Sequence, residues 1–230
     1  MKHNRFLPTI MKTVLACLFF VAAIIVILSA AGYRLQPDSR LVVQTSMIVV
    51  KSLPKGTTLT VNGKTEEGFT NWRVGSLQPG SYNVTVAKEG YRAWERTLQI
   101  DPGQTALFED VLLFLNEPVI ADIEGNQNEG FVSRLTNSES DSDIVIDGPE
   151  LYYLGTLVTR LSGPISNARL YPDGAHIAYI YDNGFWVTDL DGSNSERLFD
   201  IAGDSPYVFL NGGRQILFQN NALLKTATIW

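Results

Sequence analysis

Few residues in this chain have side chains suited to chemistry. His3 and His176 are its two histidines and Cys17 its one cysteine, and they stand far apart. Zinc sites draw on clustered Cys and His, so no metal site is expected, and no cofactor is assigned. His176 follows the turn Pro172-Asp173-Gly174 and faces opposite to Ile177 on the next strand, which reads as a surface position with no catalytic partner in view. Asp189, Asp191 and Ser193 place oxygen ligands at alternate positions, as a calcium loop does. Gly192 comes two places too early for that loop, and no bidentate Glu follows at the right distance, so a plain turn is expected. No Gly-x-Ser-x-Gly elbow, phosphate-binding loop or His-Glu-x-x-His motif occurs, and no two acids form a persuasive pair; a non-catalytic protein is expected. Trp72, Tyr82, Tyr91 and Trp94 are the candidates for stacking on a ligand, a sugar ring above all; the competing reading is that they pack a core or its turns.

Charge narrows the partners. The formal net charge is -6, which argues against nucleic acid, a ligand that usually needs a basic face. The single Cys17 lies inside an apolar block, so no disulfide forms within one chain.

That block is the element that decides location. From Val14 to Ala31 almost every one of eighteen residues is apolar, near the lower limit for crossing a hydrocarbon core as a helix. A transmembrane helix over residues 13–33 is expected, with the lipid bilayer as its partner and residues 1–12 as a cytoplasmic tail. Lys2, Arg5 and Lys12 precede the block, while Arg34 and Arg40 follow it with Asp38 between them. The basic excess on the N-terminal side holds that end in the cytoplasm and sends everything after Tyr33 out, as a single-pass protein of the cell membrane. The alternative is a signal peptide cleaved near Ala31, where Ser29 and Ala31 have the small side chains a signal peptidase prefers; the remainder is then secreted. Lipid attachment at Cys17 is set aside, because the apolar run lies after the cysteine.

Residues 41–115 read as β throughout. Leu41 to Ser52 is rich in Val, Ile and Thr, Thr57 to Val61 alternates, and Asn62-Gly63 is a strong hairpin signal. Tyr82, Val84 and Val86 fall on one face of a strand, and Trp94 and Ala106 open two more. Turns at roughly ten-residue spacing predict a small all-β sandwich. The elements Pro54-Lys55-Gly56-Thr57, Asn62-Gly63, Leu77-Gln78-Pro79-Gly80-Ser81-Tyr82 and Gly90-Tyr91 resemble, in order and spacing, those of the PEGA domain. Lys55 and Thr57 replace the Glu and Ala of the motif that names the family. The resemblance implies a small exported β-domain joined to an anchor or to other envelope modules, without catalytic residues.

Residues 116–143 change character. Nine acids stand against one base, Arg134, between Glu117 and Glu150, and Glu139 to Asp143 is a short acidic run. A solvated acidic linker is expected, with Val119-Ile120-Ala121 as a short strand inside it.

Residues 144–230 contain an internal echo. Ala168 to Tyr179 and Tyr207 to Phe218 each read as strand, Gly-containing turn and strand, at an offset near forty residues, the period of a four-stranded propeller blade. Tyr171-Pro172-Asp173-Gly174, Ile177-Ala178-Tyr179 and Asp189-Leu190-Asp191-Gly192 resemble the TolB-type propeller repeat. About two blades are expected, which implies an incomplete propeller-like antiparallel meander, or a truncated chain, since the sequence stops at Ile229-Trp230 within a strand pattern. The expected fold is thus mainly β: one transmembrane helix, a PEGA-like sandwich and a partial propeller. The expected role is binding or scaffolding in the cell envelope through a protein partner, or alternatively through cell-wall glycan.

Overall fold

The computed structural model describes residues 6–35, 42–66, 68, 71–123, 142–203, 205–220 and 223–230. The chain opens with helix α1 (Phe6–Ala30). From Met11 to Ala30 it offers 20 apolar-rich residues, none of them buried against the rest of the protein. At about 1.5 Å per residue that stretch covers about 30 Å, the depth of a hydrocarbon core. Leu15 and Phe19 are 70% and 68% exposed, so the described residues provide no apolar cover for the helix.

A two-stranded ribbon, β1 (Tyr33–Leu35) and β2 (Val42–Gln44), leads into the first β unit. That unit comprises β3 (Ser46–Leu53), β4 (Thr58–Val61), β5 (Lys64–Glu66), β6 (Trp72–Leu77), β7 (Gly80–Ala87), β8 (Trp94–Ile100) and β9 (Thr105–Leu112). Its two sheets have the orders β6-β3-β9 and β5-β4-β7-β8. Strict alternation builds the core: Ile48 and Val50 of β3, Leu59 of β4, Val84 and Val86 of β7 and Ile100 of β8 are fully buried between the sheets. Asn62 and Gly63 both take positive φ (49° and 78°), the geometry that a two-residue hairpin turn requires. β9 runs parallel to β3, a pairing that needs a long crossover.

The chain then continues through β10 (Val119–Asp122), β11 (Ile144–Asp147), β12 (Glu150–Tyr153), β13 (Thr156–Arg160), β14 (Ser166–Leu170), β15 (His176–Tyr181), β16 (Gly184–Asp189), β17 (Glu196–Asp200), β18 (Tyr207–Leu210), β19 (Gln215–Asn220) and β20 (Leu223–Thr228). These form three consecutive antiparallel sheets, β11-β12-β13, β14-β15-β16-β17 and β10-β20-β19-β18. The strand expected at Val119 is therefore present, and it completes the last sheet by pairing with β20, Val119 opposite Thr228. Residues 124–141 of the expected acidic linker, with Glu139 and Asp141 of its acidic run, lie outside the described residues.

Aromatic packing joins the sheets. Between the second and third sheets, Phe185 lies 4.9 Å from both Phe199 and Tyr207, ring centre to ring centre, with Phe218, Ala227 and Ile229 in the same core. Leu112 and Phe114, from the end of the first unit, enter that core too. Arg92 N donates to Phe114 O at 2.8 Å and Asn116 N to Gly90 O at 3.0 Å, which ties this segment to the first unit, while Leu115 N donates to Ile229 O at 2.8 Å and joins it to the last sheet. A second core, with Leu151, Val158, Ile177 and Tyr179, lies between the first and second sheets.

Tyr171 is 1% exposed, and its hydroxyl donates to Gly213 O at 2.6 Å while accepting from Trp230 Nε1 at 3.0 Å. Tyr171→Phe leaves the buried Gly213 carbonyl and the partly buried Trp230 indole N–H without this partner. The expected loss is about 1–3 kcal/mol in chemical denaturation of the purified protein; an unchanged midpoint would show that neither bond contributes.

Candidate functional site

The best-developed polar cluster sits between the two β units, and its centre is His176. The turn after β14 places Asp173 beside it. Asp173 Oδ1 accepts from the backbone N–H of Ala175 (2.9 Å) and His176 (3.2 Å), the local pattern that favours Asp in such turns. This leaves Asp173 Oδ2 2.7 Å from His176 Nδ1. The β15–β16 hairpin sets His176 directly opposite Asp189, whose Oδ1 lies 3.1 Å from His176 Nε2. With a carboxylate at each ring nitrogen, both nitrogens must donate, and only the imidazolium has two N–H groups.

His176 was expected at the surface; it is instead 4% exposed. Neighbours on both sides bury it. Arg96 of β8, from the first unit, reaches across with Nη1 3.6 Å from Asp189 Oδ2 and Nη2 in contact with Asp191. Four residues earlier, Arg92 Nη1 donates to Glu196 Oε2 at 2.8 Å and to Arg197 O at 2.6 Å. Asp189 Oδ2 also accepts from Ser193 Oγ (3.0 Å) and Asn194 Nδ2 (2.8 Å). The expected turn at Asp189–Ser193 is held by its own bonds: Gly192 N to Asp189 O at 2.9 Å and Ser193 N to Asp191 Oδ1 at 3.0 Å. A cleft of about 250 Å³ opens beside the network, lined by Trp94, Arg96, Phe108, Glu109, His176 and Asp191 among others.

The electrostatics follow from burial and pairing. Burial alone pushes the His176 imidazolium down, but hydrogen bonds to Asp173 and Asp189 outweigh it and raise its pKa to about 9. Burial likewise pushes the Asp173 carboxyl up, and the bonds from His176 and two backbone amides reverse this and hold it below the ordinary value of 3.8. Asp191 is also lowered, by Ser193 and Arg96, against a burial effect of opposite sign. For His176 the folded value stands above the ordinary 6.5, so its stabilisation is complete below that pH and is lost as pH rises through about 9. A shift of this size corresponds to about 3 kcal/mol. Asp173 acts in the opposite sense: its contribution is present above pH 3.8 and fades as pH falls further. Urea unfolding measured across pH should therefore show stability falling between pH 6.5 and about 9, steepest midway between the two values and levelling off above the upper one. A flat profile there would contradict the imidazolium assignment.

The four aromatic candidates are not brought together as a platform. Trp72 and Trp94 are 5% and 6% exposed and belong to the sandwich core, because each begins a strand at an inward-facing position. Trp94 packs edge-to-face on Phe108 at 5.2 Å. Tyr82 is partly buried and donates its hydroxyl to Gln78 O at 2.7 Å, closing its turn. Tyr91 is partly buried as well, lies under the Lys88 ammonium at 5.4 Å and bridges to Leu115. Trp72 and Trp94 thus build the sandwich core, while Tyr82 and Tyr91 pack its turns and stay partly exposed. Sequence reasoning missed Arg96, Asp173 and Asp189 as members of one network with His176, and the separate contact of Arg92 with Glu196. Part of the signal was available: Asp173 precedes His176 by three residues, and a two-residue turn at Asp182-Asn183 pairs 176 with 189.

No curated protein matches the chain. The family model of the PEGA domain matches residues 45–112, which are the strands of the first β unit, and this supports the resemblance drawn from its motifs.

Proposed function

We propose that this chain is a membrane-anchored, extracytoplasmic, non-catalytic protein that binds or scaffolds a protein partner in the cell envelope. The observation that carries the reading is the succession of an apolar helix that ends at Ala30, uncovered by the described residues, and a PEGA-type unit that begins at residue 45. In this reading α1 is a signal anchor with its N-terminus in the cytoplasm. The PEGA-type unit stands next to the bilayer, and the three sheets beyond it are propeller-like blades related to the TolB-type repeat. A non-catalytic role fits the chemistry of the cleft: both nitrogens of His176 are committed to carboxylates, and the Ser193 hydroxyl is bonded to Asp189 and Asp191.

A protein partner fits better than glycan, since Trp72 and Trp94 are core residues. On the first of the three sheets Val145, Tyr152 and Leu157 stand opposite one another across the strands, with Val145 54% and Leu157 42% exposed. An apolar row of this kind suits a protein surface. Photo-crosslinking amino acids placed at Val145 and Leu157 in cells should give one discrete protein adduct, and the full chain should not be retained on insoluble cell-wall polysaccharide. Retention on the polysaccharide without any protein adduct would overturn the proposal in favour of glycan.

A further inference from the structure

The ribbon β1–β2 is the one two-stranded sheet among the described residues. Two strands alone are marginal in water. Tyr33 pairs with Gln44, Arg34 with Val43 and Leu35 with Val42. Directly opposed residues share a face and successive residues alternate, so Tyr33, Leu35, Val42 and Gln44 lie on one, mostly apolar, face and Arg34 and Val43 on the other. That apolar face is open: Leu35 is 68%, Val42 52% and Tyr33 36% exposed.

Hydrogen bonds carry the ribbon's pairing back to the two residues that follow α1. Thr45 donates to Gly32 O through its backbone N–H (2.8 Å) and its hydroxyl (2.9 Å), and Gln44 Nε2 donates to Ala31 O at 3.3 Å. Tyr33 follows Ala30 by three residues, about 10 Å of chain at most. A helix that ends at a bilayer surface therefore delivers this face to the headgroup layer.

We propose that Tyr33, Leu35 and Val42 dock the ribbon into the boundary between headgroups and acyl chains, as a second membrane contact that sets the stance of the first β unit on the bilayer. The inference rests on the reading of α1 as a membrane span. Tyrosine favours this interfacial layer, and the ladder pairs the ribbon's inner backbone groups, while its outer edges keep water or headgroups as partners at that depth. Arg34, on the opposite face, is placed to meet lipid phosphates. The occupant is lipid, because the face is continuous with the helix that enters it.

The test uses the full chain with Cys17→Ser, reconstituted into phosphatidylcholine–phosphatidylglycerol vesicles. An environment-sensitive fluorophore is attached at Leu35→Cys or, as a control, at Lys64→Cys, a side chain 79% exposed on β5. Both sites are exposed, so the label disturbs no core. The expected result is quenching of the Leu35 label by shallow spin-labelled lipids, with iodide quenching at least about threefold weaker than at Lys64. A Leu35 label as open to iodide as the Lys64 label, on protein still embedded in the vesicles, overturns the docking and leaves the span intact. Protein that fails to enter the vesicles overturns both.

Discussion

Gly192→Ala should cost about 4 kcal/mol or more and yield little folded protein. Gly192 has φ +78°, and a Cβ added there would stand 1.9 Å from the carbonyl oxygen of Val158. That oxygen belongs to the backbone of β13, so relief requires moving the strand, and the first of the three sheets would separate from the turn after β16. Gly174→Ala is the control: its φ is +74°, but nothing lies within 4 Å of the added carbon. It should show only the left-handed backbone penalty, about 1–2 kcal/mol. Chemical denaturation of the two variants separates contact from conformation. Equal losses would mean that the close approach between the Asp189–Ser193 turn and β13 contributes nothing.

His176→Ala should be the next most damaging change. It leaves Asp173 and Asp189 facing a hole in a nearly closed site, with two carboxylates and no cation between them. Breaking a buried pair by removing one partner typically costs about 3–5 kcal/mol. The variant should also lose the fall in stability toward pH 9, since the group whose raised pKa causes it is gone. A variant that is destabilised yet keeps the same alkaline profile would assign that profile to other groups. Arg96 adds a link between units, because its guanidinium contacts the carboxylates of Asp189 and Asp191 from the opposite side. The network therefore acts as a charged fastening between the PEGA-type unit and the sheets beyond it, beside the shared apolar contacts of Leu112 and Phe114.

Local pattern made much of this fold readable. The apolar block gave α1, and Asn62-Gly63 gave a hairpin whose register follows from the two-residue turn. Alternation at Tyr82, Val84 and Val86 gave the inward face of β7. What stayed hidden is non-local. Nothing in β3 or β9 announces that they pair in parallel, since each reads as an ordinary apolar strand. The sequence reading named no strands where β11–β13 lie, since these are short and partly exposed, and could not foresee that β10 would return to complete the last sheet. His176 was misplaced for the same reason: a strand's alternation says which side a residue faces, not what another unit lays over that side. The tryptophans show the converse. Trp72 and Trp94 invited a binding role by their size, yet large rings at the start of strands are also what closes the end of a small sandwich.

The most direct test of the account is protease digestion of sealed, right-side-out membrane vesicles that carry the full chain. If α1 spans the bilayer with its N-terminus inside, external protease removes both β units and a short protected piece around Met11–Ala30 stays in the membrane after alkaline extraction. A full-length chain that survives digestion until the vesicles are opened, or one recovered from the soluble fraction, would contradict it.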